Sequence, residues 1–253
     1  AKFLKKNTFT TIEENICDKS KKNTIDAFGS EVKMEKHFDL ISNIYGITQF
    51  LIDNTACGVK LRPSPLSLGV EGNLFSNDKN IDSLYNIVFI GSLLETKNID
   101  EIIEVAAEFP DIFFNIVGDG PIKENLQSKA TSNVVFHGKK SHNELSFLLK
   151  DMDLHLLLSR SEGFPKVILE TSSSSIPSLL YNDYGASEWI VNNENGFIVQ
   201  NKKEVILKLK ELQLDVRLLN RNSKGAFKMS QKFYWKKVIK NWELEILKML
   251  DEG

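Results

Sequence analysis

Three things are scarce in these 253 residues: cysteine, long apolar runs and net charge of either sign. Cys17 and Cys57 are the whole cysteine content, and neither stands in a C-x-x-C or His-rich setting, which argues against a disulfide framework and structural zinc. A reducing compartment fits. No apolar stretch approaches the roughly 18 residues that a membrane span needs, and the basic start Lys2, Lys5, Lys6 is followed by no apolar signal-peptide core. These absences predict a cytoplasmic protein. Lys and Arg number 32 against 34 Asp and Glu, a net charge of −2, which argues against a dedicated nucleic-acid binder. A hydrophobic fraction of 42% argues against a disordered chain and predicts a sizeable core. There is no internal repeat.

The small net charge hides an asymmetry. Residues 201–248 hold 13 Lys or Arg against 5 Asp or Glu, whereas residues 1–200 hold 19 against 27. A solvated helical face that keeps the chain soluble accounts for the basic stretch. A cationic surface that docks on anionic lipid headgroups accounts for it as well, at about 1 kcal/mol per basic residue near a charged bilayer.

From Tyr85 to Val199 short apolar runs end in glycine or polar turns: Asn86 to Ile90, Ile112 to Val117, Val134 to Phe136, Leu154 to Leu158, Ser178 to Tyr181 and Phe197 to Val199. Between them lie stretches with helical spacing, such as Ile99, Ile102, Ile103, Ala106 and Ala107. Regular alternation of this kind predicts an α/β fold: a doubly wound parallel sheet covered on both faces, with the functional loops at the carboxyl ends of the strands. Residues 1 to about 60 read differently, as a polar, Lys- and Asn-rich helical stretch, a strand at Asp39 to Ser42 and a helix near Tyr45 to Asn54. Arg62 to Gly72 is rich in proline and glycine and reads as a connector. Two or three helices follow Lys202. The last, Tyr234 to Leu250, has apolar residues around most of its circumference and is expected to bury more than one face.

The stretch richest in chemistry is Ser159-Arg-Ser-Glu162-Gly-Phe-Pro165-Lys-Val-Ile-Leu-Glu170, directly after an apolar run. Pro165 suits a first helical position, so a strand, a short loop and a helix start are implied. A helix start at the carboxyl edge of a parallel sheet favours phosphate, through its free amides and its dipole. Glu162 and Glu170 are eight residues apart, roughly 12 Å along a helix. Hydrolytic carboxylate pairs sit at about 5 to 9.5 Å, so this pair is spaced instead to bracket a long ligand. A nucleoside diphosphate sugar has that shape, with hydroxyls at both ends for carboxylates and phosphates in the middle for amides and a lysine. Taken singly, each glutamate is an ordinary solvated side chain.

Glu162-Gly-Phe-Pro-x-x-x-x-Glu170 resembles the E-x7-E signature of retaining glycosyltransferases of the GT-B fold, in the group 1 or family 4 class. Other motifs agree in order. Leu68 to Phe75 resembles the family's connector, Val88 to Gly91 its first donor-lobe strand, and Val117-Gly-Asp-Gly-Pro121 its V-G-x-G-P turn. Val135 to Gly138, Gly185 to Glu188 and Asn195 to Val199 resemble three further motifs. The resemblance implies a remnant of an N-terminal acceptor lobe over 1–62, an interlobe connector over 63–84, a donor lobe over 85–232 and a C-terminal helix over 233–253. It implies catalytic roles for Glu162, on hydroxyls of the transferred sugar, and for Lys97, on the donor diphosphate. Donor-binding roles fall to Gly91, Ser92, Gly118, Gly138, Lys139, Gly163, Phe164, Pro165 and Glu170, the last on the ribose. No metal is implied. The resemblance also implies a UDP- or GDP-sugar donor and a glycan or glycolipid acceptor, with retention of configuration, in bacterial surface polysaccharide synthesis.

Three positions depart from the family pattern. Ser92 replaces an arginine that pairs with the lysine, and Arg160 is the candidate substitute; Asn98 and the Ser175-Ile-Pro177 stretch stand where glycines are usual. The short first lobe and Ser92 keep open an alternative, a non-catalytic sugar-nucleotide-binding or partner module that needs another chain for transfer. A nicotinamide dehydrogenase fits poorly, since the first strand ends in Gly91-Ser-Leu-Leu without G-x-G-x-x-G.

Overall fold

A computed structural model describes residues 8–17, 22–55 and 57–251. In chain order the elements are β1 (Phe9–Ile12), α1 (Lys22–Phe28), α2 (Glu31–Phe38), β2 (Asn43–Gly46), α3 (Gln49–Asn54), α4 (Gly72–Phe75), β3 (Asn86–Ile90), α5 (Ile99–Ala107), β4 (Phe113–Val117) and α6 (Lys123–Lys129). They continue with β5 (Val134–Gly138), α7 (His142–Leu148), β6 (Leu154–Leu157), α8 (Lys166–Ser173), β7 (Ser178–Tyr181), β8 (Gly196–Val199), α9 (Lys202–Leu214), α10 (Val216–Ser230) and α11 (Trp235–Asp251). Two compact units result: residues 70–234, and the described residues up to 69 together with those from 235 onward.

In the larger unit every neighbouring strand pair is parallel, in the order β5-β4-β3-β6-β7-β8. All four residues of β6 and of β7 are buried. Because side chains alternate between faces along a strand, this requires cover on both sides, the doubly wound arrangement that the sequence predicts. The chain walks outward from β3 through β4 to β5, returns to the other side of β3 as β6, and walks outward again to β8. At such a reversal the crossover helices part, and a crevice opens at the carboxyl ends of β3 and β6.

Two local devices shape that edge. Gly118 has φ +143°, and a Cβ there would lie 1.8 Å from the carbonyl oxygen of Gly91, so the turn after β4 lies against the turn after β3. The amides of Gly91 and Leu93 donate to the carbonyls of Val117 and Asp119, both at 3.0 Å. Further back, the side-chain amide of buried Asn133 donates to the carbonyls of Ala106, Phe109 and Ile112 at 2.8 to 3.0 Å, which satisfies the end of α5 and its exit.

The smaller unit pairs β1 with β2 in parallel over a core of Ile12, Ile16, Met34, Ile44 and Val59. Here the structure corrects several expectations. The strand expected at Asp39 to Ser42 lies at Asn43–Gly46, because Asp39 caps α2 with its amide on Glu35 and His37 carbonyls and Ile41 still bonds back to Phe38. Within the Lys- and Asn-rich stretch expected to be helical, Phe9–Ile12 is a strand, while residues 1–7 and 18–21 lie outside the described residues. Cys17 and Cys57, expected to be free, form a disulfide with a Cα–Cα separation of 5.5 Å. In α11 only Val238 and Met249 are buried, whereas Ile239, Leu244, Leu247 and Leu250 are exposed, so the helix does not bury several faces.

Candidate functional site

Ile90, Gly91 and Ser92, at the exit of β3, line two adjoining cavities at the strand-order reversal. The larger, about 520 Å³, runs past the turn Val117 to Gly120 to Lys139, Lys140 and Leu145. The smaller, about 270 Å³, is walled by Lys97, Leu157, Glu162, Pro165 and Val167. Shared residues join them into one groove along the carboxyl edge.

Lys97 ends a single 3-10 turn before α5, and Glu162 stands in the loop between β6 and α8. They are 65 residues apart, yet the Lys97 ammonium donates to both carboxylate oxygens, at 2.6 and 2.8 Å. With side-chain exposures of 24% and 11%, the pair is partly shielded from screening. Asn98 follows with φ 54° and ψ 38°, the left-handed region, and its amide donates to the carbonyl of Leu158. A glycine is unnecessary there because asparagine tolerates that conformation.

Pro165 is the N-cap of α8, one residue before the expected first helical position, and no side chain caps the helix. Pro165 and Val167 wall the smaller cavity, so the start of α8, where the Lys166 and Val167 amides precede the first bond from the Ile168 amide to the Pro165 carbonyl at 2.9 Å, opens beside Lys97 and Glu162. Gly163 and Phe164 line neither cavity. The Phe164 ring is buried against Trp189, with centroids 5.1 Å apart, and against Phe233 at 6.0 Å, which anchors the loop from behind. Gly118 and Lys139 wall the larger cavity, and the Gly138 carbonyl accepts the Gly118 amide at 2.9 Å.

Glu170 lines neither cavity. Its carboxylate lies 3.7 Å from the imidazole of His142, the first residue of α7, which falls between Lys140 and Leu145 of the larger cavity's wall. Burial pushes its carboxyl above the usual range, against the pull of His142 and Lys166. Arg160 is no substitute for a cation at Ser92. Its guanidinium pairs with Asp183 at 2.9 Å and lies over the Tyr181 ring at 4.3 Å, and it lines neither cavity.

Sequence reasoning missed Lys140, His142 and Leu145. Lys140 and Leu145 flank, and His142 lies within, the capping box Ser141 to Glu144, a readable helix start that places them at the carboxyl edge. Among the described residues, no group of three or more His, Cys, Asp and Glu side chains is placed to hold a metal ion, and no helix is long and apolar enough to cross a membrane.

Comparison with known proteins bears on the family and the fold. The family model described as glycosyl transferases group 1 matches residues 73–229. The chain is 27% identical over 178 residues to the poly(glycerol-phosphate) alpha-glucosyltransferase of Bacillus subtilis, covering 66% of this chain and 26% of that protein. It is 26% identical over 188 residues to the GtfA subunit of the UDP-N-acetylglucosamine–peptide N-acetylglucosaminyltransferase of Streptococcus agalactiae, covering 66% and 36%. A crystal structure of a TarM variant from S. aureus with UDP, fondaparinux and alpha-GlcNAc-glycerol superposes with a TM-score of 0.77 at 19% identity, over 95% of this chain and 50% of that one. The chain thus spans half or less of these relatives' lengths. With the matched stretch running from α4 through α10 and the fold shared with GT-B glycosyltransferases, this chain belongs to the group 1 glycosyl transferases.

Proposed function

We propose that the chain is the donor-binding portion of a retaining glycosyltransferase, which transfers a sugar from UDP- or GDP-sugar to a glycan or glycolipid of a bacterial surface. The observation that carries this reading is the Lys97–Glu162 pair beside the uncapped start of α8, in a groove that continues to the Gly118–Lys139 cavity. A diphosphate over the start of α8 takes the Lys97 ammonium and the first-turn amides. Those groups stabilise the negative charge that collects on the leaving phosphate as its bond to the anomeric carbon breaks. Glu162 accepts hydrogen bonds from the sugar's hydroxyls, the base occupies the larger cavity, and Glu170 with His142 stands toward the ribose. The TarM structure, which holds UDP, supports a nucleotide donor for this chain. No metal is called for in this reading.

A second reading, a sugar-nucleotide-binding module that needs another chain for transfer, is favoured by one observation: Lys97 is the sole cation among the residues lining the smaller cavity. For either reading the sequence expectation is the cytoplasm, at the inner face of the membrane through the basic helices. The Cys17–Cys57 disulfide stands against a reducing compartment.

Calorimetry tests the assignment. UDP or GDP is expected to bind without added metal, and Lys97→Ala and Glu170→Ala each to weaken it about tenfold. Glu162→Gln is expected to spare the nucleotide while weakening the intact sugar nucleotide; equal losses for both contradict the division of roles. Absence of binding by either nucleotide at millimolar concentration overturns the assignment.

A further inference from the structure

The donor reading leaves one group unprovided for. If a diphosphate takes Lys97, the Glu162 carboxylate, only 11% exposed, loses the partner that holds it in the free protein. A carboxylate in such a place needs another hydrogen-bond donor to keep its charge and its direction.

One stands behind the loop. Tyr184 is 2% exposed, and its hydroxyl has no hydrogen-bond partner among the described residues. An unmade buried bond of this kind costs free energy, and use of the group in another state is one account of its being kept. The Tyr184 ring stacks on Trp189 at a 6.1 Å centroid distance, and Trp189 meets Phe164 edge-on at 5.1 Å. Phe164 is two residues from Glu162, so this aromatic wedge ties the phenol to the segment that carries the carboxylate. Burial, with the negative charge of Glu162 adding to it, pushes the phenol's ionisation well above its usual value, so the hydroxyl remains a donor. The other acid in its field, Asp183, is already taken by Arg160 at 2.9 Å.

We propose that Tyr184 is a positioning residue for Glu162: its hydroxyl is idle while Lys97 holds the carboxylate and donates to it once a bound diphosphate draws Lys97 away. The proposal rests on the donor reading for its ligand-bound state. The exchange of partners itself does not.

Tyr184→Phe removes the hydroxyl and keeps the ring stack. In the wild-type background it is expected to leave the unfolding temperature unchanged or to raise it, because the deleted group makes no bond there. In a Lys97→Ala background, where Glu162 is released, the same substitution is expected to lower it. Equal effects in the two backgrounds overturn the proposal without reference to any ligand. With ligand, Tyr184→Phe is expected to weaken a sugar nucleotide about tenfold while changing free UDP or GDP less than about twofold, with no further loss in a Glu162→Gln background. Undiminished affinity for every sugar nucleotide that the wild type binds overturns the proposal and leaves the donor reading standing. If the wild type binds no nucleotide, the donor reading falls, and the unfolding cycle alone decides whether Tyr184 and Glu162 are coupled.

Discussion

Ser175 carries two penalties at one position. Its φ of 59° is in the left-handed region, which costs a residue with a Cβ about 1–2 kcal/mol, and its buried hydroxyl has no partner among the described residues. The backbone holds it there: its amide donates to Ser172 and its carbonyl accepts the hydroxyl of Ser223 at 2.6 Å, which delivers Ile176 and Pro177 into β7. Glycine would keep those backbone bonds, remove the Cβ strain and delete the unpaired hydroxyl, at the cost of a more flexible unfolded chain. Ser175→Gly is therefore expected to stabilise the protein by about 1 kcal/mol, read from the urea midpoint at unchanged slope. A lower midpoint would show that the serine makes contacts worth more than its strain. Asn98, at φ 54°, gives the opposite expectation. Its amide ties the start of α5 to the end of β6 through Leu158, so glycine there removes a bond as well as a Cβ and brings no gain.

Among the elements, the turns after β3 and β4 set the floor of the groove, since Gly91 lines both cavities and Gly118 presses on its carbonyl. Gly118→Ala must push these turns apart and is expected to cost about 1–3 kcal/mol, with nucleotide affinity falling in step. Gly138→Ala is the control: φ is 66° there, but a Cβ would meet nothing within 4 Å, so only backbone strain is added. Thermal unfolding and calorimetry on the two variants separate them; equal affinity losses would deny the Gly118 contact its role. The same turns explain what was legible in advance. The central strands β6 and β7 are buried on both faces, so each appears as a short apolar run closed by a turn, and Pro165 announces α8. β2 was misplaced because Leu40 and Ile41 look like a strand but finish the turn after α2, while the pairing that defines β2 is with Phe9–Ile12, more than thirty residues earlier. The disulfide is illegible for the same reason, as spacing says nothing about two cysteines 40 residues apart that the fold brings together. In the site, Lys97 and Glu162 were named by likeness to a family. Their mutual pairing is a product of β3 lying beside β6, and the inward turn of Phe164 follows from an aromatic cluster that no spacing rule displays.

Across the whole molecule the basic stretch becomes three helices, α9 and α10 in the larger unit and α11 in the smaller. Some of its charge is neutralised by Lys202–Glu104, Lys208–Glu211 and Lys248–Glu245. Lys203, Lys210, Lys236, Lys237 and Lys240 are exposed and have no ion pair among the described residues. On α11 the three lysines flank exposed Ile239, Leu247 and Leu250, the mixture that an interfacial helix presents to anionic headgroups, apolar contact beside positive charge. A purely solvated face needs no exposed leucines, so this pairing of features favours the membrane reading at α11. The protein is accordingly expected to float with vesicles that contain anionic lipid and not with zwitterionic ones, and to be released as salt shortens the screening length below about 8 Å. Replacing Lys236, Lys237 and Lys240 together by glutamine should remove about 3 kcal/mol of attraction, a fall in partitioning of roughly a hundredfold. Retention that survives both salt and the triple substitution would assign the contact to apolar residues alone, and failure to float on anionic vesicles would leave these helices a solubilising surface.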